Sequence, residues 1–460
     1  MIRLVLEAIE KAGGNYYLVG GFVRDKLLGL EPKDIDVEVF GLSYDSLVLV
    51  LEKFGKTDIV GKSFGVIKVK IGEDDYDFNL PRRDSKNGVG HKGFNVSVDH
   101  TMTIEEAAAR RDFTINSMSI DSKGNLIDPF KGQVDLVKGI LRPTSEAFRD
   151  DVLRAIRGFQ FSARFNMSAS DSSIDMIKDM SKEYHTLPKE RIFEEWKKWG
   201  TKGKYYSQSL KYLSDIGWLY LYPELEAIYG VEQDVIHHPE GPVEIHTGHV
   251  LDYMAELCER ENITGDDRLV LIFAALCHDF GKAVCSFKEY SPKYGREVIK
   301  AHGHEAESVP LARSFLESIG CPEDIIKVVL PLVKLHMVHE KMKDKTLRKL
   351  SNKLYPATMR QLFYLCESDQ SGRPPLPRGI SENLRINIDN SIRLGILDGR
   401  PAKIVTGKDL IKAGYTPGPN MGKLLDKLYE LQLRGSFYSV EVGLKVARSL
   451  IKLDGEYVCN

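Results

Sequence analysis

LVGGFVRDKLLGLEPKDIDVEVF, residues 18–40, is the stretch on which the reading of the chain turns. An apolar pair and two glycines, Gly20 and Gly21, lead into a turn of amphipathic helix marked by Val23, Leu27 and Leu28. Glycines ahead of a helix let backbone approach an anion closely, and the first N–H groups of the helix can hydrogen-bond phosphate. Arg24, one turn in, adds a guanidinium suited to a bidentate phosphate contact. After a Gly-Leu-Glu-Pro break comes a strand with Asp34, Asp36 and Glu38 on one face and Ile35, Val37 and Val39 on the other. Neighbouring carboxylates on a strand suit a hard divalent cation such as Mg²⁺. A DxD pair alone equally describes a solvated strand face, so the rest of the chain has to decide.

The combination GG-x-V-R-D-x-L-L-G followed by K-D-I-D is more specific than either part. It resembles the active-site opening of the nucleotidyltransferase superfamily, in its class II branch of CCA-adding enzymes and bacterial poly(A) polymerases. A chain of 460 residues has room for two to four domains with ample core. Its 42% hydrophobic and 28% charged content is that of an ordinary soluble protein. Met1 to Ala12 is too short and too charged for a signal peptide, and no apolar run reaches membrane-spanning length. Six cysteines without a CxxC pair point to a reduced cytoplasm. With 64 Lys and Arg against 66 Asp and Glu the net charge is −2, so any RNA has to be held by local basic patches.

Downstream of the DxD strand the pattern predicts an amphipathic helix around Asp45 to Phe54 and a strand pair at Val66 to Ile71 and Asp75 to Leu80. Asp77 alternates with Tyr76 and Phe78 and is a candidate third carboxylate, the general-base position in this chemistry; an exposed acid near a turn is the competing reading. The LPRRD that follows resembles the family's segment here and favours the catalytic one. Ser85 to Ala109, with GVGHKGF in its middle, reads as a mobile loop before a short helix. In CCA-adding enzymes a flexible loop in this place helps the site switch from C to A addition. Arg110-Arg111-Asp112-Phe113-Thr114-Ile115-Asn116 is close to the family's RRDFTINA block. There the Arg pair would contact triphosphate, and Asp112 with Asn116 would contact ribose or fix the local turn. Asp128-Pro129-Phe130, Gly132 and Asp135-Leu136 match the segment that closes the head.

From Leu141 the period becomes helical. Val152, Ile156, Phe159 and Ala163 form one stripe, while Asp151, Arg154 and Arg157, three apart, share another flank. Asp150-Asp151-Val152-Leu153-Arg154 resembles the family's EDxxR motif, which chooses C or A without a nucleic-acid template; Asp150 replaces its Glu, and Gln160 stands where many relatives have Arg. An intrahelical ion-pair ladder is the plainer reading of such spacing. LPKERIFEEW, residues 187–196, resembles the following neck helix, with Arg191 as a structural or phosphate contact. The lysines around it read either as a solvated face or as a contact with tRNA backbone.

A second chemistry begins near His237. His246, then His278-Asp279, then His302, His304 and His336, and finally Asp369 follow one another in order. Imidazole and carboxylate together bind Ni²⁺, Mn²⁺, Co²⁺ or Mg²⁺. The order resembles the HD phosphohydrolase superfamily, whose four-ligand set maps onto His246, His278, Asp279 and Asp369. His302, His304 and His336 would then face phosphate or a second metal. Ser371 to Gly379, SGRPPLPRG, reads as a linker. Thr406 to Gly435 resembles the family's C-terminal block, and the basic stretch 341–353 is a candidate tRNA contact.

The resemblance covers nearly the whole chain. It implies an α+β nucleotidyltransferase head, a small mixed sheet with helices, over residues 1–140. All-α neck (141–228), HD (229–375) and tail (376–460) domains would follow. The implied activity is addition of CCA to tRNA from CTP and ATP, with Mg²⁺ on Asp34 and Asp36 and a transition metal or Mg²⁺ in the HD domain. A bacterial poly(A) polymerase shares the head motifs, and a nucleotide-binding regulator with a degenerate site is the non-enzyme alternative. No membrane is involved, and the sequence leaves monomer and dimer open.

Overall fold

Helix α1 (Ile2–Lys11) and strand β1 (Asn15–Val19) open a computed structural model that describes residues 2–32, 35–58, 65–72, 74–86 and 94–454. Helix α2 (Gly21–Leu27), strand β2 (Asp36–Phe40) and helix α3 (Tyr44–Leu51) follow. Then come strands β3 (Lys56–Asp58), β4 (Val66–Ile71), β5 (Asp74–Asn79), β6 (Arg82–Lys86) and β7 (Phe94–Val98), helix α4 (Ile104–Ala109), and strands β8 (Ser119–Ile120) and β9 (Leu126–Ile127). Seven of the strands form a mixed sheet in the order β3-β4-β5-β2-β1-β8-β9.

The period-2 pattern of residues 35–39 is realised in this sheet. Val37 and Val39 are buried with Ile67, Val69 and Phe78 under Val5 and Ile9 of α1 and Leu47 and Leu51 of α3. That burial frees the opposite face of β2 for polar work. Strand β2 runs parallel to β5 with Asp36 directly opposite Asp77 and Val37 opposite Phe78. Asp34 lies outside the described residues.

Two local expectations are corrected. Where the polar composition of residues 85–109 predicts a loop, β6 and β7 pair as an antiparallel hairpin, Arg82 opposite Val98 and Lys86 opposite Phe94. β6, RRDSK, carries no apolar signal, whereas Phe94, Val96 and Val98 of β7 alternate as a strand's residues do; GVGHKGF up to Gly93 is outside the described residues. Ser371 to Gly379 is no open linker. A helix runs to Ser371, Gly379 N–H donates to Ser371 Oγ at 2.9 Å, Ser381 N–H to Gln370 Oε1 at 3.1 Å, and Arg378 pairs with Glu256 at 2.6 Å. Prolines end the helix, but polar contacts return the chain to it.

The chain divides into two compact units, Met1–Tyr222 and Pro223–Asn460. In the first, α5 (Gly132–Lys138) closes the head and α6 (Leu153–Phe165) opens a helical neck. Val152 and the α6 residues Ile156, Phe159 and Ala163 are all buried, as their spacing predicts. Phe159 packs on Trp196 and Trp199, centroids 4.7 and 5.3 Å away, so the apolar face of α6 is fixed and its charged face is directed elsewhere. The second unit is mostly helical, with one added hairpin, Phe287–Ser291 against Arg296–Lys300, where the sequence predicts only helices. Among the described residues no helix is long and apolar enough to cross a membrane.

Candidate active sites

In the first unit a cavity of about 620 Å³ lies against Gly20, Gly21, Asp36, the 110–116 segment and the charged face of α6. Gly20 has φ +68°, which favours glycine, and a Cβ there would stand 3.5 Å from Asp36 Oδ2. The turn thus brings main chain close to a carboxylate that faces the cavity. Ten Arg and Lys side chains line it against four carboxylates, so a chain with net charge −2 carries a strongly positive pocket.

These cations are held by a buried network. Glu38, 1% exposed, accepts from Arg110 Nη2 at 2.9 Å and Arg111 Nη2 at 2.6 Å. Asp112 accepts from Phe113 N–H, Asn116 Nδ2 and Arg157 Nε at 2.8–2.9 Å. Asn116 Oδ1 accepts from Arg24 Nη1 at 2.7 Å. Arg24, which also pairs with Asp25 and stacks over Phe165, is tied into the wall as well as lining the cavity. For Asp112 and Asn116 the geometry supplies the turn-fixing role: they brace the short helical turn Thr114–Asn116. Asp151 accepts from Leu153 N–H at 3.0 Å and Arg191 Nη2 at 2.9 Å. Arg154 donates to the carbonyls of Ala147 and Arg110 at 2.6 and 2.8 Å. Asp77 stands beside Asp36 in register and 3.7 Å from Lys68 Nζ.

Burial pushes the Glu38 carboxyl up, and the Arg111 and Arg110 guanidiniums more than offset it, so its pKa lies below the usual carboxylate value. The pair therefore contributes its stability above that usual value and loses it as the pH falls through the lowered one. Glu38→Gln should lower unfolding stability by about 3 kcal/mol, because it leaves two guanidiniums with half a partner. Urea denaturation near neutral pH measures it. An unchanged midpoint would show that Glu38 does not hold the wall.

In the second unit the histidines and aspartates converge. His246 lies on the helix Val243–Arg260, His278-Asp279 follows the buried helix Gly265–Cys277, and His304 opens His304–Ser318. His336 follows Glu323–Leu335, and Asp369 lies near the end of Met359–Ser371. Gly281 permits the convergence: a Cβ there would be 2.2 Å from the His304 carbonyl oxygen. His246 Nε2 is 3.2 Å from Asp369 Oδ1 and 3.7 Å from Asp279 Oδ2, and His278 Nε2 is 3.1 Å from Asp279 Oδ2.

The tautomers follow from the acceptors. Nδ1–H of His278, His304 and His336 donates to the carbonyls of Ala275, Ala301 and Val333 at 2.7–2.8 Å, and that of His246 to Glu240 at 2.8 Å. Each Nε2 is left to offer a lone pair, the arrangement that prepares imidazole for a metal. His246 Nε2, His278 Nε2 and Asp279 Oδ1 are buried without a hydrogen-bond partner, while Asp279 Oδ2 is ion-paired with Lys282, so the residues fit a cation. His246, His278 and Asp279 form a candidate metal-binding group. The adjoining cavity, about 400 Å³, is lined by Asp279, Lys282, His304, His336, Asp369 and Arg373 among others. His302 reaches this wall too but is exposed.

Sequence reasoning missed Arg82 and Arg164 of the first cavity, and it read Lys198 and Lys202 only as part of the lysine field around the neck helix, a solvated face or a contact with tRNA backbone. It also missed Glu240, the acceptor behind His246, and Lys282, whose Nζ lies 2.7 Å from Asp279 Oδ2. Lys198 and Lys202 follow Arg191 by seven and eleven residues on one helix, a spacing that places them on one face.

Fold and sites together define the class: a nucleotidyltransferase head joined through a helical neck to an HD domain. Residues 16–142 match the family described as the poly A polymerase head domain, and residues 243–366 match the HD domain. The multifunctional CCA protein of Nitrosococcus oceani is 33% identical over 409 residues, 86% of this chain and 93% of its own length. That of Methylobacillus flagellatus is 35% identical over 369 residues, 78% and 84% of the two chains. The chain belongs to the family of multifunctional CCA proteins. In fold it is similar to the Bacillus stearothermophilus CCA-adding enzyme solved in complex with CTP (TM-score 0.64, 19% identity, 98% of this chain and 97% of that one). The Thermotoga maritima CCA-adding enzyme solved with tRNA aligns with a TM-score of 0.57 at 19% identity, over 98% and 94%.

Proposed function

We propose that the chain adds CCA to tRNA 3′ ends from CTP and ATP without a nucleic-acid template, releasing pyrophosphate, and that its HD domain hydrolyses phosphoesters in the cytoplasm. The observation that carries the first activity is Asp36, on the wall of a cation-rich cavity, with Asp77 opposite it on the neighbouring parallel strand.

Asp34 and Asp36 would hold Mg²⁺, which when bound supplies positive charge to the reacting phosphate and to the entering and leaving oxygens. Asp77 takes the proton of the tRNA 3′-hydroxyl, whose oxygen forms a bond to the α-phosphorus as the bond to pyrophosphate breaks. Gly20 and Gly21 admit the phosphates close to main chain, and Arg24 and Arg111 offset their charge. Asp112 and Asn116 hold Arg157 and Arg24 in place. Asp151, which lies just ahead of α6 and caps it by accepting from Leu153 N–H, and Arg154 in the first turn of α6 offer an acceptor and donors to a base edge. The exposed lysines of the 341–353 stretch, Lys341, Lys343, Lys345 and Lys353, are suited to RNA phosphate.

The test is a tRNA lacking CCA offered with CTP and ATP, followed by sequencing of its 3′ end. CCA and nothing more is the expected product; a long A tail would make the chain a poly(A) polymerase, and no extension would leave a regulator. Asp151→Ala should blur C against A selection about tenfold while slowing total incorporation less, since base-edge hydrogen bonds are lost rather than charge at the reacting phosphate. Single-nucleotide incorporation kinetics with each triphosphate measure it. Equal losses for CTP and ATP, with no new UTP or GTP incorporation, would remove Asp151 from base reading.

In the HD domain His246, His278, Asp279 and Asp369 would hold a divalent ion, for which imidazole favours Ni²⁺, Mn²⁺ or Co²⁺ over Mg²⁺ and which when bound supplies Lewis acidity. Lys282 and Arg373 face the same cavity and suit phosphate oxygens. A 2′,3′-cyclic phosphate or 2′-nucleotide at an RNA end is the proposed substrate.

A further inference from the structure

We infer that Phe287, on the hairpin Phe287–Ser291 against Arg296–Lys300, and His302 form a nucleobase platform at the mouth of the HD cavity, so that the site takes a whole nucleotide rather than a bare phosphate ester. That role rests on the reading of the HD domain as a phosphohydrolase and fixes what its substrate carries beyond the scissile phosphate.

Burial divides the cavity into two ends. Its floor is charged and closed, with Asp279, Lys282, His304, His336 and Asp369 all buried. Its mouth is apolar and aromatic, lined by Ile299, Ala301, His302 and Met337, of which His302 and Met337 are exposed. A cavity of about 400 Å³ falls within the roughly 300–1,000 Å³ of sites that enclose whole small molecules. A charged floor and an apolar mouth match the two ends of a nucleotide, its phosphate and its base.

Phe287 stands against that mouth. It lies directly across from Lys300 in the hairpin register, so the two side chains leave the same face, and Lys300 lines the cavity. The Phe287 and His302 rings are 6.0 Å apart at 53°, and Phe287 is 44% exposed. Two exposed rings in contact leave π-surface for a third, and both ring types stack on nucleobases. Gly303, with φ +79°, sends its neighbours apart: His304 Nε2 goes down to within 3.2 Å of Asp279 Oδ1, while His302 stays at the mouth. His302 therefore belongs with Phe287 rather than with the buried histidines.

The platform is also fixed in place. A two-stranded hairpin is marginal by itself, but buried Asp234 accepts from Arg296 Nη1 and Nη2 at 3.1 and 3.0 Å and from Ile299 N–H at 3.3 Å. Lys288 pairs with Glu232 at 2.8 Å. Glu232 and Asp234 both line the cavity, so the hairpin is tied to the wall it extends, and a base meets rings that need little further ordering.

The test compares hydrolysis of 2′,3′-cyclic AMP with that of methyl riboside 2,3-cyclic phosphate, the same ester without a base, by the full chain with Ni²⁺, Mn²⁺, Co²⁺ and Mg²⁺ in turn. The unaltered chain should show a KM about tenfold or more lower for the nucleotide, and Phe287→Ala should raise that KM roughly tenfold, the scale of one lost base–ring stack. Phe287→Trp should restore it. His302→Ala should raise the same KM, and His302→Phe, which returns a ring without nitrogens, should bring it back. A trinucleotide ending in a 2′,3′-cyclic phosphate presents the same base and phosphate. Equal dependence on Phe287 there assigns the platform to RNA ends, dependence with the mononucleotide alone assigns it to free nucleotides, and either supports the inference. Equal KM values for the two esters, or losses in Phe287→Ala that are the same with and without a base, would overturn it while leaving the phosphohydrolase reading intact. A fall in kcat on both esters in His302→Phe would overturn it too, returning His302 to the phosphate. No hydrolysis of either ester with any of the metals would overturn both.

Discussion

Asp36→Ala should reduce nucleotide transfer at least a hundredfold, a loss of ~2.7 kcal/mol or more in transition-state stabilisation. The carboxylate sits at the start of β2 where the sheet turns its polar face to the cavity, and Asp77 adjoins it in register. Removing it takes charge from the place where a cation would meet the reacting phosphate, whereas the arginines that line the cavity stay as they are. The loss should therefore fall on kcat, with KM for CTP within a few-fold of the unaltered value. Asp36 is half-buried and outside the apolar cluster under the sheet, so the melting temperature should hold. Rapid-quench incorporation of CTP into a tRNA lacking CCA measures it. Retention of more than about a tenth of the transfer rate, under ~1.4 kcal/mol, would take Asp36 out of the metal site.

Much of this was legible in the sequence because strand and helix periods separate faces. Val37 and Val39 had to be buried if residues 35–39 formed a strand, which put Asp36 and Glu38 on the opposite side. The same logic on α6 buried Ile156 and Phe159 and turned Arg154 and Arg157 to the cavity. Arg164 continues that face, ten residues after Arg154 with Phe161 between, and a longer reading of the period would have included it. What the sequence hid was pairing across distance. That Glu38 would take both Arg110 and Arg111, 72 and 73 residues away, is a tertiary fact with no local signature. The β6–β7 hairpin was hidden for another reason: β6, RRDSK, has no apolar residue to alternate, and the five-residue alternation Phe94, Val96, Val98 of β7 follows directly on a polar, Gly-rich stretch that masks it.

The HD residues were legible in order but not in arrangement. Spacing along the chain ranks His246, His278, Asp279 and Asp369 without saying which oxygen of Asp279 meets which ring. Five helices decide that, and Glu240, whose side chain is fully buried between His238 and His246, sets the tautomer of the first ligand. An acid six residues before a candidate ligand gives no such signal by itself.

His278→Ala combined with Asp279→Ala should abolish metal-dependent phosphoester hydrolysis, by at least a hundredfold or ~2.7 kcal/mol. The same chain should add CCA at a rate within about twofold of the original. The two substitutions remove a ring whose Nε2 is buried without a hydrogen-bond partner and the carboxylate that faces it. Both lie in the compact unit Pro223–Asn460, and among the described residues none that lines the transfer cavity comes from that unit. Replacing one partner of a buried polar cluster usually leaves the others stranded and costs stability. Here the mutual attraction of Asp279 with His278, His304 and Lys282 goes with it, so the unit should melt earlier while the head retains its own transition. Hydrolysis of 2′,3′-cyclic AMP with Ni²⁺, Mn²⁺, Co²⁺ and Mg²⁺ in turn, beside CCA addition on the same preparation, gives both readouts. If no metal supports hydrolysis by the unaltered chain, the HD domain is a structural or tRNA-docking element. If the double variant loses CCA addition in step with hydrolysis while its head still melts normally, the two activities are not separable.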